Sequence, residues 1–191
     1  IGMPVLVRNV FYEFDKADLT ENSCEALDRL TKMLKENPNV TIELAAHCDY
    51  RGNDDYNLNL SQRRAESVVR YLTEHGIASD RLTPKGYGEE MPKVVNKKLT
   101  ETYPFLHEND TLTLDYILKL TPEEQEICNA LNRRTEFRVL RTTYGLFDEA
   151  GKLKPQAIKP ENQEDPDNPE DSENPENPEN PEQLEEEIYI E

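Results

Sequence analysis

The sequence predicts an α+β fold: strands and helices in the order βαβαβ(α)β, forming a mixed sheet with helices packed on one face. Three observations predict it. Val40, Ile42, Leu44 and Ala46 alternate with Thr41, Glu43 and Ala45, the period of a strand with one buried face. Leu27, Leu30 and Leu34, and later Ala65, Val68, Val69 and Leu72, recur at helical spacing. This patterning stops well before the end of the chain. Residues 1–147 therefore read as one folded domain with an insert at about 93–126, and residues 148–191 as an acidic, Pro/Glu/Asn-rich tail, extended or disordered.

Residues 5–14 read as the first strand, rich in β-branched and aromatic side chains, and Asp15-Lys16-Ala17-Asp18 turns the chain. Thr20 caps the next helix and Asn37-Pro38 ends it. Strand, helix and strand in that order predict a parallel pair, with ligand sites beyond the C-terminal strand ends, where Asp49 falls. A polar loop turning at Gly52 follows. Ser61 is expected to cap the second helix and Gly76 to end it. Arg63 and Arg64 would then lie in its first turn and oppose the helix dipole at a cost of roughly 0.3–1 kcal/mol each, a placement that suggests an anion nearby.

Leu82 to Tyr87 reads as a short third strand, with Gly86 and Gly88 bounding a turn. The insert contains Tyr103-Pro104-Phe105-Leu106 and the segment Leu112 to Leu118. This apolar content predicts packing as a loop plus a short helix. Thr121-Pro122-Glu123-Glu124 is a helix start with cap, proline and capping box, and Ile127, Ala130 and Leu131 give that helix a buried face. Asn132-Arg133-Arg134 leads into a last strand with Phe137 and Val139 on one face.

Composition excludes several functions. The chain has 40 acids against 22 bases, but 14 of the acids lie between Glu161 and Glu191, where there is no Lys or Arg; the rest is near −4. A broad phosphate footprint for nucleic acid is therefore disfavoured. No apolar run approaches the ~20 residues of a membrane span, and no signal peptide is present, so no direct membrane insertion is expected of this segment. Because the chain starts at Ile1, a longer protein with its targeting signal upstream is expected. Cys24, Cys48 and Cys128 allow one pair and a free thiol, or three thiols.

Asp49 at a strand end and Arg64 on the following helix suggest a pocket for a zwitterion, the ammonium on Asp49 and the carboxylate on the guanidinium. The alternative is a structural salt bridge between them. His47, Cys48 and Asp49 alternate across a strand and so converge poorly on a metal, and Asn53-Asp54-Asp55 lacks the distal glutamate of a calcium loop. No nucleophile is held beside a base, so no catalysis, cofactor or metal is expected.

His47-x-Asp49, Tyr56-Asn57, Leu60-Ser61-x-x-Arg64-Ala65-x-x-Val68, Tyr71-Leu72, Gly76-Ile77, Arg81-Leu82 and Gly86-Tyr87-Gly88 together resemble the OmpA-like C-terminal domain family, over roughly residues 8–144. That family includes the peptidoglycan-associated lipoprotein and the flagellar stator anchor. The resemblance implies an OmpA-like sandwich and noncatalytic binding of the diaminopimelate residue of the peptidoglycan stem peptide, on the periplasmic face of a Gram-negative outer membrane. The implied ligand-binding residues are Asp49 and Arg64, with Asn57, Cys48, Asp15 and Arg133 beside them. Asp15 reads equally as a solvated turn residue, and Arg133 as a cation that complements a helix end. Two positions depart from the family: Ala46 where glycine is common, and Cys48 where threonine is common. A second reading is an envelope scaffold module that contacts other proteins through the insert and the acidic tail, and dimerisation is left open.

Overall fold

The computed structural model describes residues 5–6, 16–21 and 23–154. The strand expected over 5–14 is thus described at Val5–Leu6 alone, and Asp15 and the tail beyond Lys154 lie outside the described residues. The elements are β1 (Val5–Leu6), α1 (Ser23–Glu36), β2 (Thr41–His47), α2 (Asp54–Glu74), a 3-10 turn (Ser79–Arg81), β3 (Leu82–Gly88), α3 (Lys97–Thr102), α4 (Leu114–Ile117), α5 (Pro122–Asn132) and β4 (Arg134–Arg141).

The sheet is mixed, in the order β1-β4-β2-β3, with β4 antiparallel to both β1 and β2 and β2 parallel to β3. The expected direction of the first two strands holds, but they are not neighbours. A strand, helix and strand fix relative direction locally, whereas adjacency depends on β4, which arrives from the far end of the chain and takes the place between them.

Alternation sorts the strand residues by face. Ile42 and Leu44 of β2, Leu82 of β3 and Phe137 of β4 meet Leu27, Leu30 and Leu34 of α1 and Val68 and Leu72 of α2 in the main core. The opposite face of the sheet carries Glu43, Ala45, His47, Tyr87, Glu136 and Arg138. The insert builds a second core from Val95, Leu106, Leu112, Ile117 and Cys128, flanked by Tyr50, Tyr103 and Phe105. It does so with two short helices rather than one. Helix α5 starts as expected, with both arms of the capping box formed between Thr121 and Glu124.

The start of α2 corrects the sequence reading. The cap is Asn53, whose side chain accepts from the Tyr56 N–H, and Asp54 and Asp55 occupy the first turn, where carboxylates suit the dipole. Ser61 lies two turns inside the helix. Its hydroxyl donates to the Leu58 carbonyl at 2.9 Å and accepts from the Gly88 N–H at 2.9 Å, tying α2 to β3. Arg63 and Arg64 are therefore mid-helix. The dipole effect fades within the first turn, so it gives no reason to expect an anion there.

Candidate functional site

Strand β2 ends at His47, and the next two residues turn away from the sheet. The Cys48 N–H donates to the Gly88 carbonyl at 2.8 Å and its thiol reaches the Asn57 carbonyl at 3.5 Å, so both polar groups of Cys48 are used in holding the loop. Asn57, buried in α2, donates to the Arg51 carbonyl at 3.0 Å and to the Asp49 carbonyl at 3.5 Å. Gly52, at φ 109, makes the turn that this bracing requires.

Asp49 is buried at the centre of a ring of charges. Its Oδ1 accepts the Arg51 N–H at 2.9 Å, an Asx turn, and its Oδ2 accepts the Arg51 side chain at 2.6 Å and the Arg133 side chain at 2.5 Å. Glu126 of α5 takes the other ends of the same two guanidinium groups, Arg51 at 3.0 Å and Arg133 at 3.0 Å. Burial pushes the Asp49 carboxyl up, but the bonds from Arg51 and Arg133 outweigh it and hold it below the usual carboxylate range. Bonding from Arg133 likewise leads in holding Glu126 low.

Arg64 stands on another side of the loop. Its Nε donates to the Lys16 carbonyl at 3.1 Å, next to the turn that the sequence placed beside the pocket. Burial raises the Cys48 thiol, and the charges acting on it are Arg64, which lowers it, and Asp49 and Glu89, which raise it. The charges of Asp49, Arg64 and Glu89 are thus all felt at one thiol. Among the described residues, the ion partners of Asp49 are Arg51 and Arg133; the alternative of a direct Asp49–Arg64 bridge does not describe this loop.

Three participants escaped the sequence reading. Arg51 and Glu126 close the ring, and Glu89, just after β3, has one carboxylate oxygen buried without a hydrogen-bond partner. Its carboxyl is raised first by burial and then by Asp54 and Asp49. The spacing of Glu126 and Arg133, two helical turns apart on one face, is a signal that could have found that pair. Asn57, Cys48 and Arg133 all lie in or against the loop, bracing the backbone or gripping Asp49.

Cys24, Cys48 and Cys128 are all free thiols. His47 stacks on Tyr87 with ring centroids 5.2 Å apart. Its pKa is driven down to about 3, first by burial and then by Arg134. Because the folded pKa lies below the ordinary value of ~6.5, the unfolded chain binds the proton more readily in between, and acidification favours unfolding. Stability is expected to fall from about pH 6.5 down towards pH 3, beginning before the carboxylates titrate. Melting curves of the parent and His47→Phe between pH 7 and 5 check this: the variant should be flat where the parent declines.

A sheet backed by α1 and α2, with a charged loop at the end of β2, defines a small α+β domain. Residues 11–103 match the OmpA family. The chain is 39% identical over 88 residues to outer membrane porin F of Pseudomonas fluorescens, covering 46% of this chain and 27% of that protein. It is 38% identical over 86 residues to the peptidoglycan-associated lipoprotein of Pseudomonas putida, covering 45% and 51%. The chain thus spans about half or less of the length of these relatives. Among solved structures, the peptidoglycan-associated lipoprotein of Burkholderia pseudomallei aligns at a TM-score of 0.49 with 24% identity, over 69% of this chain and 88% of that one.

Proposed function

We propose that this chain is a noncatalytic peptidoglycan-binding module that tethers an outer-membrane protein to the cell wall from the periplasmic side of a Gram-negative envelope. The observation that carries the reading is the OmpA-family match, whose span contains Asp49, Arg64 and Glu89 around one loop and whose relatives include peptidoglycan-associated lipoproteins. The ligand end proposed is that of diaminopimelate, a free ammonium beside a free carboxylate. The Arg64 guanidinium takes the carboxylate as a charge-assisted pair. The ammonium goes to Asp49, in the negative potential to which Glu89 contributes. Arg51 and Arg133 hold Asp49 while the site is empty of ligand. Because Glu126 already bonds both, the two arginines keep a partner when Asp49 turns to the ammonium.

Cosedimentation with purified sacculi tests this. Asp49→Ala and Arg64→Ala are each expected to weaken binding about tenfold or more, the equivalent of one lost charge-assisted bond. Binding should also weaken as salt rises. Two folded variants that sediment like the parent would rule the site out.

A further inference from the structure

The sheet face turned away from α1 and α2 encloses a cavity of about 440 Å³, within the ~300–1,000 Å³ range of small-molecule sites. Strand side chains from β2, β3 and β4 form its floor. Met91, Pro92, Val94 and Asn96, together with Asn109, form the roof. None of the residues assigned above to the stem-peptide site lines it.

The wall is rich in charge; exposed Glu108 lies at its edge, and the charges on the sheet floor are matched. Glu136 accepts from Lys93 at 2.9 Å and from Arg134 at 2.7 Å. Glu43 accepts from Tyr87 at 2.9 Å and from Arg138 at 3.1 Å. A charged guest on this floor would have to break one of these pairs, and the Glu136 side chain in them is only 5% exposed, so the cost is high. What remains unsatisfied is neutral in character or a lone donor. Both ring nitrogens of His47, whose side chain is 4% exposed, have no hydrogen-bond partner, and neither has Arg138 Nε. The approach of His47 Nε2 to Glu136 at 3.6 Å is too long for a hydrogen bond. Buried polar atoms are normally partnered, so an unpartnered imidazole lining a cavity marks where a guest's polar groups belong.

We infer that this cavity is a second binding site, for a neutral sugar, with the His47 imidazole and Arg138 Nε as its hydrogen-bonding edge. The neutral ring offers one N–H donor and one lone pair, and a hydroxyl group answers either, whichever nitrogen carries the proton. Met91, Pro92 and Val94 supply apolar surface for the C–H faces of a pyranose, and Met91 and Val94 stand half exposed at the rim. A sugar combines a hydroxyl edge with apolar faces and no charge, which is the combination this wall leaves open.

The test is a titration of the full chain with methyl glucoside and with N-acetylglucosamine, following the ring carbon and nitrogen signals of its three histidines by NMR. The His47 signals are expected to move along a saturable curve with at least one sugar, while His75 and His107 stay fixed. His47→Phe keeps a ring to stack on Tyr87 and should weaken sugar binding about tenfold or more; His47→Gln, which keeps a donor and an acceptor, should weaken it less. Asp49→Ala should bind sugar like the parent, so the two sites fail separately. His47 signals unmoved by both sugars would mean a cavity filled by water and would overturn the inference. So would an equal or larger response to N-acetylalanine amide, which would make it a peptide site. Since the titration uses the unaltered chain, it decides even where a variant fails to fold.

Discussion

Gly86→Ala is expected to destabilise the domain by about 3 kcal/mol or more, at or beyond the upper end of overpacking costs. A methyl group at position 86 would sit 2.1 Å from the Gln62 nitrogen, 2.5 Å from its Cα and 2.6 Å from the Ser61 hydroxyl. Two of these are helix backbone atoms, which no rotamer change can clear. The same contact is where β3 is pinned to α2, by Gly86 N–H to the Gln62 side chain at 2.8 Å and by Gly88 N–H to Ser61. Pushing the helix off the strand breaks both bonds and opens the main core between them. Urea unfolding reads this directly as a lower midpoint, and a midpoint equal to that of the parent would mean that the helix and strand are not in this contact.

Arg81→Ala is expected to cost a similar amount, about 3–5 kcal/mol. The Arg81 side chain is buried at the junction of α1 and β2, with Nε donating to the Val40 carbonyl at 2.9 Å and a terminal nitrogen donating to Leu34 at 2.9 Å and Asn37 at 2.7 Å. Leu34 and Asn37 lie at the C-terminal end of α1, where carbonyls lack helical partners and the dipole favours a cation. A hydrogen bond to a charged group is worth ~1.5–3 kcal/mol, and truncation also takes the guanidinium from the buried carbonyls of Val40 and Leu34, whereas the Asn37 carbonyl keeps the Val40 N–H. Arg81→Lys keeps the charge but cannot span three acceptors with one ammonium, so it should recover only part of the loss. Thermal melts of the two variants check this; an alanine variant within about 0.5 kcal/mol of the parent would contradict the assigned role.

Much of this fold was legible because its signals are local. The alternation from Val40 to Ala46 marks β2, Gly76 ends α2 with a positive φ, and the Thr121 capping box starts α5, each readable from a few adjacent residues. The start of α2 was misread for a physical reason. Its first turns are polar and largely exposed, so the apolar stripe begins late and Ser61, just ahead of it, resembles a cap. The order of the sheet and the ring around Asp49 were out of reach on different grounds. Both depend on β4 and α5 returning from the end of the sequence, and a residue such as Glu126 shows its partner only after that return. Asp49 and Arg64 were singled out through the strand end and the spacing of the whole motif, and their role is a proposal. The dipole argument first offered for Arg64 does not survive its mid-helix position.

The most direct test of the wall-binding reading is calorimetric titration of the chain, with and without Arg64→Ala, by diaminopimelate and by a stem peptide that contains it. The expected result is saturable binding by the parent and at least a tenfold loss in Arg64→Ala, since the guanidinium supplies the carboxylate's partner. No binding by the parent, or equal binding by the variant, would contradict it.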